Sequence, residues 1–169
     1  MNISKQIIGY LQSRELVLAS IETCTAGAIA SMLADVACAA EYLDIGVVAH
    51  TRAALAGLPV AHAQAVEGDA QAGELFARAL VEALLVQRAG CANVALASIG
   101  WFAAEQEDKA PVSHCFAWAC MHRGAVASAS ETVLFSGRRA PVRRSVARRA
   151  LLGLPRFVDE ILACNDTAP

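Results

Sequence analysis

No stretch of this chain approaches the ~18 to 20 uninterrupted apolar residues that a membrane-spanning helix needs, because polar or charged residues interrupt every apolar run. No membrane partner is expected. The six cysteines, Cys24, Cys38, Cys91, Cys115, Cys120 and Cys164, form no Cys-x-x-Cys pair, which removes the usual zinc-knuckle and dithiol motifs. They read as small buried hydrophobes in a reducing compartment. Charge is scarce, at 18% of residues, and its net value of −2 lacks the Lys and Arg excess that broad nucleic-acid binding requires. Any anion site must be local. Met1 to Glu15 lacks the continuous apolar core and small-residue cleavage site of a secretory leader, so a cytoplasmic location is expected.

What is present is a 169-residue chain, 56% apolar and rich in Ala, long enough to bury roughly two thirds of its unfolded surface as one domain. Residues 1–164 are expected to form that domain and 165–169 a frayed tail. Ile3, Ile7, Ile8, Tyr10 and Leu11 recur at helical spacing before Leu16 to Ile21, an apolar run that suits a buried strand. Thr23 or Thr25 is placed to cap a helix with its body at Ala28 to Val36. Tyr42 to His50 reads as a second strand and Thr51 to Leu58 as a short helix ended by Gly57 and Pro59. The clearest helix, Ala70 to Ala89, carries Leu75, Phe76, Ala79, Leu80, Ala83 and Leu84 on one stripe and leads to a third strand, Asn93 to Ser98. Val112 to His122 and Ala125 to Phe135 then form a hairpin about Arg123-Gly124, and Pro141 fits the first turn of a last helix running to about Ala163. The expected fold is a three-layer α/β/α sandwich whose mixed, mostly parallel sheet ends in a β-hairpin.

Four groups of residues are candidates for chemistry. The turn Glu22-Thr23-Cys24-Thr25-Ala26-Gly27 leaves a strand and enters a helix, so its backbone N–H groups face solvent beside two hydroxyls and a thiol. The plainer reading is a helix cap with Cys24 packed. His50 ends the second strand, where the carboxyl ends of parallel strands gather, and is placed to act as general base or substrate contact. His114, Phe116, Trp118, Cys120 and His122 share one strand face, but His114 and His122 lie roughly 26 Å apart along a strand, so no metal site is expected. Six of the twelve arginines, Arg138, Arg139, Arg143, Arg144, Arg148 and Arg149, crowd one short segment, where the first four suit a phosphate and the last two a solvated face.

Together these pieces resemble the C-terminal domain of the CinA (competence- and damage-inducible) family, whose stand-alone members are nicotinamide mononucleotide deamidases. The family's Ala-Glu-Ser-Cys-Thr-Gly-Gly turn is matched by Ile21 to Gly27, and its Gly-Val-Val-x-Tyr-Ser-Asn strand end by Gly46 to Arg52. Its Phe-x-Gly-Asp-Arg-x-x-Val-Arg signature is matched by Phe135 to Arg143. The resemblance implies an amidohydrolase whose nucleophile falls at Thr23 and whose activating base is a lysine, with His50 the candidate base of a rewired site. It implies substrate contacts from Thr25, Ala26, Gly27, Ser98, Arg139 and Arg143. A nucleotide is the small-molecule ligand it suggests, with no cofactor, and a homo-oligomer is expected.

The departures fall on the catalytic positions. Thr23 stands for the family's serine and His50 for its tyrosine, and the lysine expected five residues later would fall at Leu55. The only lysines in the chain are Lys5 and Lys109, and Arg52 keeps its proton at any working pH. The glycine-rich substrate loop of the family reads Ile99-Gly100-Trp101-Phe102-Ala103, and its Lys-Pro-Val-Gly-Thr strand start reads Lys109-Ala110-Pro111-Val112-Ser113-His114. Arg139 and Arg143 are kept. Two expectations follow: a paralogue that keeps a nucleotide or anion pocket with its catalysis lost or altered, or a rewired Thr23–His50 deamidase of a pyridine nucleotide.

Overall fold

Asn2 starts the first helix through its side chain, whose Oδ1 accepts the Ser4 N–H at 3.0 Å and so satisfies one of the amides that a helix start leaves open. The computed structural model describes residues 2–59, 70–102 and 111–166. Along them run α1 (Ile3–Ser13), β1 (Leu18–Glu22), α2 (Ala28–Ala34), a 3-10 turn (Ala39–Glu41), β2 (Leu43–Val48), α3 (Arg52–Ala56) and α4 (Ala70–Gln87). β3 (Val94–Gly100), β4 (Val112–His122), β5 (Ala125–Phe135) and α5 (Arg139–Asp166) complete the chain. Helix α5 thus extends two residues into the segment expected as a frayed tail, and residues 167–169 lie outside the described residues.

The sheet order is β2-β1-β3-β4-β5, with β1 parallel to both β2 and β3, and β4 antiparallel to β3 and β5. Helices cover both faces, giving three layers. On one face α1, α2 and α5 bury Leu18, Val94, Leu96, Phe116 and Trp118. On the other, α3 and α4 sit over Ala19, Ala95, Ala97, Ala117 and Ala119. This division follows from the period of two along each strand, which sends Leu96 and Ala97 to opposite faces. Small residues on the α4 face bring that helix close: a Cβ on Gly73 would lie 2.9 Å from Cys115 Sγ.

The two hairpin strands coincide with the expected bounds. The other strands differ by a few residues at their ends. In α4 the buried stripe is Ala77, Leu80, Val81, Leu84 and Leu85, whereas Leu75, expected inside, is 60% exposed. At this near end of α4 the sheet side is taken by Glu74, which accepts hydrogen bonds from Ser130 and Thr132 of β5. No helix among the described residues is long and apolar enough to cross a membrane.

Candidate functional site

The carboxyl ends of the parallel strands β1 and β3, the start of β4 and the first turns of α5 meet at one end of the sheet. Glu22, the last residue of β1, is fully buried, and its carboxylate accepts the Ile29 N–H at 3.1 Å and the Ala30 N–H at 3.0 Å. Glu22 therefore caps α2, the role expected of Thr23 or Thr25. The residue at the helix start is Gly27, with no side-chain cap. Ala26 (φ 56) and Gly27 (φ 87) both adopt left-handed backbone, the region that favours glycine, and this sharp bend brings the start of α2 back over Glu22.

Thr23 is 1% exposed, and its hydroxyl is spliced into β3: Oγ1 accepts the Gly100 N–H at 2.9 Å and donates to the Gly100 carbonyl at 2.8 Å. Its own N–H donates to the Ser98 carbonyl at 3.1 Å. Thr25 is equally buried, and its Oγ1 finds no partner among the described residues. Of the turn's backbone N–H groups, expected to face solvent, that of Ala26 is committed to the Thr23 carbonyl at 3.0 Å.

A cavity of about 180 Å³ opens beside this turn, lined by Thr23, Cys24, Ala26, His50, Trp101, Phe102 and Arg143. His50 thus shares a cavity with Thr23, as the sequence suggested, while the hydroxyl makes its hydrogen bonds to Gly100 and Ser98 instead. Arg143 donates through Nε to the Cys24 carbonyl at 2.8 Å, tying α5 to the turn. Both aromatic walls carry guanidinium groups: Arg52 lies 5.4 Å from the Trp101 ring, and Arg139 and Arg143 lie 5.6 and 6.0 Å from that of Phe102. Ser98, Thr25, Gly27 and Arg139, expected as substrate contacts, are not among the residues that line the cavity, which Arg139 meets only through the Phe102 ring.

Ser98 has a different neighbour. Its Oγ is 2.8 Å from Nε2 of His114, whose Nδ1 is 3.5 Å from Sγ of Cys24. In the tautomer in which the thiol donates to Nδ1, the Nε2–H donates to Ser98. All three side chains are buried, and of the three residues Cys24 lines the cavity. Burial pushes the Cys24 thiol up to about 11, partly offset by the positive charge of Arg143, and pulls His114 down to about 3. Gly100 makes room for the ring, since a Cβ there would lie 2.1 Å from Nδ1. The sequence signal for this line was slight. His114 stood out on β4, but only the β3–β4 register, which pairs it with Gly100, sets it beside Cys24. Among the described residues no group of three or more His, Cys, Asp or Glu side chains is arranged to hold a metal ion.

Solved structures of the same architecture exist. A CinA superfamily protein from Klebsiella pneumoniae matches with a TM-score of 0.72 at 21% identity, over 94% of this chain and 96% of that one. One from Escherichia coli gives 0.66 at 22%, over 89% and 86%. A competence/damage inducible protein from Agrobacterium tumefaciens gives 0.55 at 19%, over 96% and 93%. At these identities the likeness shows the fold. Among curated proteins no relative matches the sequence. The CinA C-terminal domain model matches residues 1–158, so the chain belongs to that family.

Proposed function

We propose that this protein binds a small anionic ligand in the cavity beside the Thr23 turn, and that it does not deamidate nicotinamide mononucleotide through Thr23. The observation that carries this reading is the Thr23 hydroxyl itself, whose proton points at the Gly100 carbonyl at 2.8 Å. A nucleophilic hydroxyl must surrender its proton to a base as it attacks, and a backbone carbonyl does not take it up. Lysine, the base implied by the family resemblance, is missing, and the exposed His50 is not hydrogen-bonded to Thr23.

Charge and size support the ligand class. Arg143 lines the cavity, and Arg52 and Arg139 stack on its two aromatic walls, so the local potential favours an anion. At about 180 Å³ the cavity falls below the roughly 300–1,000 Å³ of sites that enclose whole drug-sized ligands. It suits a compact anion or one end of a nucleotide. Two measurements test this. Inorganic phosphate is expected to raise the melting temperature of the wild type and not of Arg143→Ala. Nicotinamide mononucleotide is expected to release no ammonia. Ammonia release that disappears in Thr23→Ala overturns the reading in favour of a Thr23–His50 deamidase.

A further inference from the structure

Trp101 and Phe102 follow directly on β3, and the alternation of that strand carries past its last residue, sending the two rings to opposite faces of the sheet. Trp101 packs against the core under α3 and α4, and Phe102 against the core under α1, α2 and α5. Each ring is braced by cations from its own layer. Arg52, the first residue of α3, lies over Trp101, and Arg139 and Arg143, in the first turns of α5, lie over Phe102. Both rings line the cavity, so two of its walls are set by packing from two layers of the fold. They stand in a segment where the resemblance expects a glycine-rich loop, whose missing side chains would leave that space open.

We propose that Trp101 and Phe102 are specificity-determining residues, which restrict the cavity to a compact oxyanion such as phosphate or a short phosphomonoester and shut out the base and sugar of a nucleotide. This deepens the binding reading and rests on it for the sign of the ligand charge. Arg143 is the one arginine among the lining residues. Its Nε is committed to the Cys24 carbonyl at 2.8 Å, and its Nη groups, hydrogen-bonded to none of the described residues, remain for a single oxyanion. One such fork, in about 180 Å³, matches one phosphoryl group and not a phosphoryl group with a nucleoside attached. The two rings differ in a second respect. Phe102 lies under the Arg143 guanidinium and so also positions the anion-binding group, whereas Trp101 carries Arg52, which does not line the cavity. Trp101 therefore acts on ligand size alone, and Phe102 on size and on anion affinity together.

The test is a ladder of ligands that share the phosphate charge and differ in size: inorganic phosphate, glycerol phosphate, ribose phosphate and adenosine monophosphate. Dissociation constants come from the rise of the melting temperature with ligand concentration. In the wild type, affinity is expected to hold as far as glycerol phosphate and to fall roughly tenfold or more by adenosine monophosphate. Trp101→Ala is expected to recover about tenfold for the nucleotide while phosphate stays within about twofold. Phe102→Ala is expected to admit the nucleotide as well and to weaken phosphate about threefold, the worth of one cation–π contact. A nucleotide bound by the wild type as tightly as phosphate overturns the proposal, as does a nucleotide affinity unchanged in folded Trp101→Ala and Phe102→Ala. If neither variant keeps its helical circular dichroism, the wild-type ladder decides, a steep one supporting the filter and a flat one refuting it. Phosphate binding on a flat ladder refutes the filter and leaves the binding reading standing. Nucleotide binding gained in Trp101→Ala, with no phosphate binding in the wild type, refutes the binding reading alone. No shift with any ligand in any of the three proteins refutes both.

Discussion

Two turns in this protein use the same backbone device to different ends. At the tip of the β4–β5 hairpin, Arg123 (φ 49) and Gly124 (φ 79) are both left-handed, and a Cβ on Gly124 would meet nothing within 4 Å. At the site, Ala26 (φ 56) and Gly27 (φ 87) repeat the conformation, but the four residues before them, Glu22 to Thr25, are all buried. The hairpin turn only reverses the chain. The site turn carries partners: Glu22 holds α2, Thr23 holds β3, the Cys24 carbonyl holds Arg143 and its thiol meets His114. A left-handed pair is thus cheap as a connection and consequential as a scaffold.

The largest break in this comparison comes from Glu22→Ala. It strips two amides at the start of α2 of their acceptor, and each buried donor left unpaired costs roughly 1–3 kcal/mol, so a loss of about 4 kcal/mol is expected in urea unfolding. Arg123→Ala, at the exposed hairpin tip, is expected to stay within about 0.5 kcal/mol. Comparable costs at both positions would mean that Glu22 is not what fixes the turn.

Acid comes next. Folding holds His114 at about 3 against an ordinary 6.5, so between those values the unfolded chain binds the extra proton and stability must fall as pH drops. At ~1.4 kcal/mol per pH unit once the unfolded imidazole is fully protonated, the fall between pH 6.5 and 4.5 is about 2 kcal/mol from this residue. Unfolding midpoints measured across that range should be markedly flatter in His114→Gln. Equal slopes in the two proteins would show that the imidazole is not held neutral.

These contrasts explain what the sequence disclosed. The hairpin was legible because Arg123-Gly124 and the alternation on either side are local signals, and the family blocks Ile21 to Gly27 and Phe135 to Arg143 located the site for the same reason. The wiring of that site was not local. Glu22 precedes the amides it caps by 7 and 8 residues, outside any capping-box spacing, so the nearer hydroxyls of Thr23 and Thr25 were the natural choice. Cys24 and His114 are separated by 90 residues and meet only through strand register. Leu75 misled because periodicity alone does not show that Glu74 has polar partners on β5.

Thr23→Val sharpens the comparison at the site. Valine preserves the shape and removes the hydroxyl, leaving the Gly100 N–H and carbonyl without their side-chain partner, at an expected cost of about 2 kcal/mol. Phosphate binding should survive, since Arg143 is untouched. A variant as stable as the wild type would free Thr23 from its splicing role and reopen a catalytic one.

The smallest effect is the one that treats the two turns alike. Ala26 and Arg123 are both exposed and both left-handed, a conformation that costs a residue with a Cβ roughly 1–2 kcal/mol. Glycine removes that strain but gains freedom in the unfolded chain worth roughly 0.4–1 kcal/mol, so Ala26→Gly and Arg123→Gly should each stabilise by about 0.5 kcal/mol. Parallel melting curves check this. If backbone strain is all that separates alanine from glycine, the two gains will match. If Ala26→Gly instead destabilises while Arg123→Gly does not, the methyl of Ala26 contributes contact to the cavity it lines, and the two turns differ in their own residues as well as in their neighbours.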